Sequence, residues 1–182
     1  MLNFSYCGVN WKFLLTFYGN IGIMNAVILD MRKLMIEIRR IKTADVDIEK
    51  LNQLVGQQSP GVKKRAIAKD DLVQSLSNPF FYLFIASDNE RSGDYFGMAT
   101  IFFQRNIVRW IGEIHDVVVD EQIRGHGLGE MLTRKLMDTA KEFCADRNVE
   151  MKLYLTSRPS RVVANALYLK LGFVLVAQAC GP

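Results

Sequence analysis

With 182 residues, 49% of them hydrophobic and 23% charged, the chain has the size and composition of one globular domain, which excludes a disordered or fibrous protein. Its formal charge of +4 suits an anionic small ligand such as a nucleotide cofactor. That excess is too small and too evenly spread for a nucleic-acid binder, and the longest basic cluster, Lys63-Lys64-Arg65, has no interleaved aromatics.

The chain opens on an uncharged stretch, 13–29, interrupted by Gly19, Asn20, Gly22 and Asn25. Those interruptions make it a poor bilayer span, and it lacks the basic start and Ala-x-Ala-type site of a signal peptide. Residues 1–34 are therefore expected to form an appendage outside the fold, with the domain running over 35–182. Ile36, Ile38 and Ile41 open a short strand, and Thr43 can cap a helix with Ile48, Leu51, Leu54 and Val55 on one side. Residues 57–61 (Gln-Gln-Ser-Pro-Gly) read as a loop, and a second helix over 69–76 ends before Asn78-Pro79. Strands at 80–87 and 95–103, joined by a polar turn, read as an antiparallel hairpin. A third strand, 110–119, runs into a glycine-rich loop.

That loop opens a long helix with Leu128, Met131, Leu132, Leu136, Ala140, Phe143 and Cys144 inward. Glu130 with Arg134 and Asp138 with Lys141 decorate its outer face. A strand at 150–156, a helix at 160–170 closed by Gly172, and a last strand from Phe173 complete the chain. The order β-α-α-β-β-β-α-β-α-β predicts an α/β fold, a mixed central sheet flanked by helices on both faces. Cys7, Cys144 and Cys180 lie far apart without paired spacing, so neither a disulfide framework nor a zinc site is expected, and a reducing cytoplasm is the simplest home.

The sharpest chemical feature is Arg124-Gly125-His126-Gly127-Leu128-Gly129, set between a strand and a helix. Backbone without side chains lets consecutive N–H groups face a phosphate, the helix dipole adds positive potential, and Arg124 supplies a counter-charge. The dinucleotide spacing G-x-G-x-x-G would need glycine at 130, where Glu130 stands, and the Gly-Lys-Ser/Thr ending of a P-loop is absent.

Here the sequence resembles the GNAT superfamily of N-acetyltransferases, whose pyrophosphate loop follows Arg/Gln-x-x-Gly-x-Gly/Ala; Arg124, Gly127 and Gly129 match it. The stretch 156–173, with Asn165 one turn before Tyr168 and then Gly172-Phe173, looks like the second signature of that family. The resemblance implies acetyl-CoA as co-substrate, with no metal. It places the pyrophosphate on Arg124, Gly125, His126, Gly127, Leu128 and Gly129, and the pantetheine amides on backbone groups of Val117 and Val119. Asn165 would face the cofactor, and Tyr168 would protonate the departing thiolate. The activity implied is acetyl transfer to a primary amine by direct attack, the acceptor being a small molecule or a peptide, with neither nucleic acid nor membrane as partner. The other reading is a non-catalytic acyl-CoA-binding or regulatory module of the same fold.

Candidates for the base that takes the amine proton are Glu113, His115 and Asp116, or water. Strand alternation puts Glu113 and His115 on one face with Val117, and Asp116 on the other. Family members finish with a seventh strand beside the last two, but only five residues follow Ala177. The terminal strand is therefore expected to be missing, leaving the strand 150–156 short of a partner.

Overall fold

The computed structural model describes residues 1–6, 28–29, 34–42, 46–58, 66–88 and 93–178. Among these residues there are eight strands and four α-helices: β1 (Leu2–Tyr6), β2 (Ile28–Leu29), β3 (Leu34–Ile41), α1 (Ile48–Gln57), α2 (Lys69–Ser77), β4 (Phe81–Asp88), β5 (Tyr95–Arg105), β6 (Trp110–Val119), α3 (Leu128–Arg147), β7 (Met151–Ser157), α4 (Val162–Lys170) and β8 (Val174–Gln178). From β3 onward this is the predicted order. The hydrogen-bonded strand order is β2-β3-β4-β5-β6-β7-β1-β8.

Two compact units are distinguishable. One comprises Gly22–Thr100 and Asp116–Thr133; the other comprises Met1–Ile21, Ile101–His115 and Arg134–Pro182. In the first, β3 pairs antiparallel with β4 from Ile36–Asp88 to Ile41–Leu83. Helix α1 starts at Ile48 because the Asp47 carboxylate accepts the backbone N–H groups of Glu49 and Lys50. Thr43, the expected cap, lies outside the described residues. The apolar stripe of α1, Leu51 and Leu54, packs with Ile41, Leu72, Leu83, Ile85, Met98 and Val118 into one core.

In the second unit, β6 and β7 run parallel from Trp110–Met151 to Ile114–Leu155. Phe143 of α3 stacks on Phe103 at 4.2 Å between centroids and takes Trp110 edge-on at 5.0 Å. The inward set expected for α3 is buried, except Met131, which is half-buried, and Lys141 bonds Asp138 at 2.7 Å on the outer face.

The N-terminal expectation needs correction. Residues 2–6 are not outside the fold: β1 lies between β7 and β8 and pairs antiparallel with both. Phe4 is 2% exposed. The strand at 150–156, expected to be short of a partner, is therefore paired. No strand follows β8 among the described residues, but the edge of β7 is paired, because an apolar segment from the start of the chain supplies the missing backbone donors and acceptors. Ile28 and Leu29 also pair, with β3, so the boundary at 34 does not hold there either. The apolar stretch over 13–27, Cys7, Cys180 and the Lys63-Lys64-Arg65 cluster lie outside the described residues. Among the described residues, no helix is long and apolar enough to cross a membrane.

Candidate active site

The glycine loop sits in the first unit. The carboxylate of Asp120 accepts the backbone N–H of Gln122 at 2.9 Å, turning the chain out of β6 into a single 3-10 turn, and Ile123 is buried beneath it. Gly125 and Gly127 then take φ of +85° and +84°, in the left-handed region where a side chain is strained. No atom stands within 4 Å of where a Cβ would be at either, so these glycines serve backbone direction and leave open space beside the loop. Gly127 caps α3: its carbonyl accepts the N–H of Met131 at 3.0 Å. The helix itself therefore offers no acceptor to the N–H groups of Leu128 and Gly129, which stand at the positive end of a 20-residue helix.

Arg124 is anchored rather than free-swinging. Its Nε donates to the Val119 carbonyl at 3.0 Å and its terminal nitrogen to the Gln57 carbonyl at 3.4 Å. His126 is exposed by area, but its Nδ1 lies 3.1 Å from the Ile123 carbonyl, a bond that pins the loop when that nitrogen carries the proton. Gln57 was expected in a loop; it is the last residue of α1, and its side chain ties that helix to the turn at Asp120 and Glu121. It donates to Asp120 at 3.0 Å and accepts from the Glu121 N–H at 2.8 Å. Nothing in residue type alone marks Gln57; only the paired amides at the end of an amphipathic helix hint at it. Val117 and Val119 are half-buried around a buried Val118, and the Val119 carbonyl already holds Arg124.

Asp116 departs from the expected alternation. Ile114 and Val118 are buried on either side of it, so a regular strand would bury it too, but it is exposed. Its φ of +48° is the cause, swinging the Cα–Cβ bond out of the strand's pattern. The carboxylate accepts from Gln58 Nε2 at 3.1 Å and Thr100 Oγ1 at 3.3 Å.

The remaining candidates belong to the second unit. Glu113 and His115 share a face as expected, with His115 Nε2 3.3 Å from Glu113 Oε2, and Gln104 donates to the other carboxylate oxygen at 2.8 Å. Tyr168 lies on α4 and is only 5% exposed. Its phenol is pushed up from the usual value near 10 by burial, an effect partly opposed by the Arg161 guanidinium. The helix ends as the Gly172 reading required: Gly172 takes φ +91°, its N–H bonds the Leu169 carbonyl, and the Phe173 N–H bonds the Tyr168 carbonyl. Asn165 donates from Nδ2 to the carbonyls of Arg158 (3.0 Å) and Pro159 (3.4 Å). Its buried Oδ1 has no hydrogen-bond partner, and neither does the buried hydroxyl of Ser157 at the end of β7. Unmatched buried polar atoms of this kind ask for a partner from a ligand or water. No group of three metal-binding side chains occurs among the described residues.

Residues 48–173, more than half of the chain, match the acetyltransferase (GNAT) family. The chain belongs to that family. Among solved structures it is similar to an acetyltransferase from Trypanosoma brucei, at 21% identity and a TM-score of 0.61 over 81% of this chain and 98% of that one. It is similar also to glucosamine-6-phosphate N-acetyltransferase from Arabidopsis thaliana, at 19% identity and 0.61 over 81% and 97%. A third is an aminoglycoside N-acetyltransferase in complex with CoA, at 16% identity and 0.61 over 83% and 95%. At these identities the likeness is one of fold. No curated protein matches the chain.

Proposed function

We propose that this acetyltransferase-family chain moves the acetyl group of acetyl-CoA to a primary amine by direct attack of the nitrogen. The observation that carries the reading is the 124–129 loop: two left-handed glycines, open space beside them, and the amide-lined start of α3 next to an anchored arginine. Such a surface fits a pyrophosphate, because N–H groups and a guanidinium can meet its oxygens. Acetyl-CoA would supply an acyl group on sulfur, a leaving group whose thiol pKa of about 8.5 makes it only mildly dependent on a proton.

The residues divide the work accordingly. Arg124, Gly125, His126, Gly127, Leu128 and Gly129 hold the anionic end. Backbone groups of Val117 and Val119 align the arm, and an N–H there polarises the carbonyl under attack. Asn165 offers its unmatched Oδ1 to an amide N–H. The amine gives up a proton to Glu113, His115, Asp116 or water. Tyr168 returns one to the departing sulfur, and burial favours this role by keeping the phenol protonated well above neutral pH.

The acceptors named for the similar structures, an amino-sugar phosphate and the aminoglycosides, make small polar amines the first class to try. Thiol release from acetyl-CoA, followed against amino sugars, aminoglycosides, polyamines and peptide amines, tests the reading. Release that depends on the amine is the expected result. CoA binding with no amine-dependent release would overturn it in favour of a non-catalytic CoA-binding module.

A further inference from the structure

Strand β1 and helix α4 come from opposite ends of the chain, yet β1 furnishes two of the rings around the end of α4. In a strand, residues two apart share a face, so Phe4 and Tyr6 point the same way. The ring of Phe4 meets Tyr168 edge-on with centroids 5.7 Å apart. Tyr6 lies 5.6 Å from Phe173, and its ring edge stands 3.1 Å from where a Cβ on Gly172 would be. Phe173 completes the set, 6.1 Å from Tyr168. Phe4 stands opposite Leu155 of β7 in unbroken register and opposite Leu175 of β8, just past a register shift between Asn3 and Phe4.

We propose that β1 is a positioning element for Tyr168, and that Phe4 is the residue through which it acts. An acid works only from within hydrogen-bond reach of the atom it protonates, so a phenol free to tilt is a poorer acid than one held in place. Phe4 closes one side of the ring's seat. Shortening it opens a cavity into which the Tyr168 ring can lean and water can enter. The N-terminal strand thus fills the edge of β7 and also sets the orientation and dryness of the catalytic phenol. Its catalytic part rests on the reading of Tyr168 as the acid.

The test uses the full chain and a double-mutant cycle with the amine that the parent protein turns over. Phe4→Leu should lower kcat about tenfold while leaving CoA affinity and the KM for acetyl-CoA near the parent values, and should add little when Tyr168→Phe is already present. Equal losses in both backgrounds would make Phe4 a merely structural residue and overturn the proposal. Parent-like turnover of Tyr168→Phe alone would sink the acid reading, and this inference with it. A second readout needs no acceptor. Alkaline ultraviolet titration of the tyrosines, with the Tyr168→Phe titration subtracted, isolates the Tyr168 phenol, which Phe4→Leu should move down toward its ordinary range. An unmoved titration overturns the proposal as well. Circular dichroism checks folding, and Phe4→Met, closer in volume, carries both measurements if the leucine variant does not fold.

Discussion

The glycine loop and the seat of Tyr168 are built in opposite ways. The loop takes its shape from backbone conformation and from groups close by in sequence, Asp120, Ile123, Gly125, Gly127 and Met131, with Gln57 and the Phe96 carbonyl as distant contributors. The seat takes its shape from rings brought together by strand pairing, Phe4 from the start of the chain and Phe173 near its end. A device made of backbone tolerates many changes around it and few within it. A device made of packed rings is sensitive to every element that delivers a ring, including a strand far away in sequence.

The largest expected effect falls on the seat. Deleting residues 1–6 removes a strand from between two others and a fully buried phenylalanine. Phe4→Ala alone should destabilise by about 3–5 kcal/mol, the range for a large buried aromatic, and the deletion by more. Thermal unfolding measures both, and a deletion variant as stable as the parent would show that β1 does not belong to the core.

Next is the phenol itself. Tyr168→Phe should slow the chemical step by roughly ten- to ten-thousand-fold while leaving CoA affinity nearly intact, because one proton is lost and the ring stays. Pre-steady-state turnover together with calorimetric CoA titration separates the two. Weakened CoA binding with normal turnover would make Tyr168 a binding residue and erase its contrast with the loop.

The loop should show the reverse split. Arg124→Ala is expected to weaken CoA binding by about 1–3 kcal/mol, the range for a charge-assisted contact. Gly127→Val should weaken it further, since a φ of +84° is hostile to a β-branched residue and the added bulk stands in the ligand's space. CoA affinity unchanged in both variants would remove the loop from the site.

The smallest effect is a pH dependence of stability. The folded-state pKa of Tyr168 is raised above its unfolded value near 10, mainly by burial. Its contribution is therefore fully present below about pH 10, where both states hold the proton, and is lost as pH rises toward the folded pKa, because the unfolded chain releases its proton first. Denaturation measured between about pH 9 and 11 should show a steeper alkaline loss for the parent than for Tyr168→Phe. Parallel curves would mean the phenol is not held dry.

Part of this was legible from residue order alone. The element sequence from β3 to β8 follows from hydrophobic periods of two and 3.6 and from glycines and capping residues, all local properties of the chain. The loop at 124–129 and the closing turn at Gly172 were readable for the same reason: they depend on which residues tolerate left-handed backbone, and glycine announces that by its identity. Tertiary structure decided the rest. Asp116 escapes strand alternation through a single dihedral, Gln57 becomes a clamp only because α1 ends beside Asp120, and Arg124 is held by carbonyls its sequence neighbours do not predict. Most of all, the pairing of residues 2–6 with β7 and β8 was not legible. Backbone pairing is the same for any apolar segment, so the sequence states that an edge must be covered, and only the folded chain settles which segment covers it.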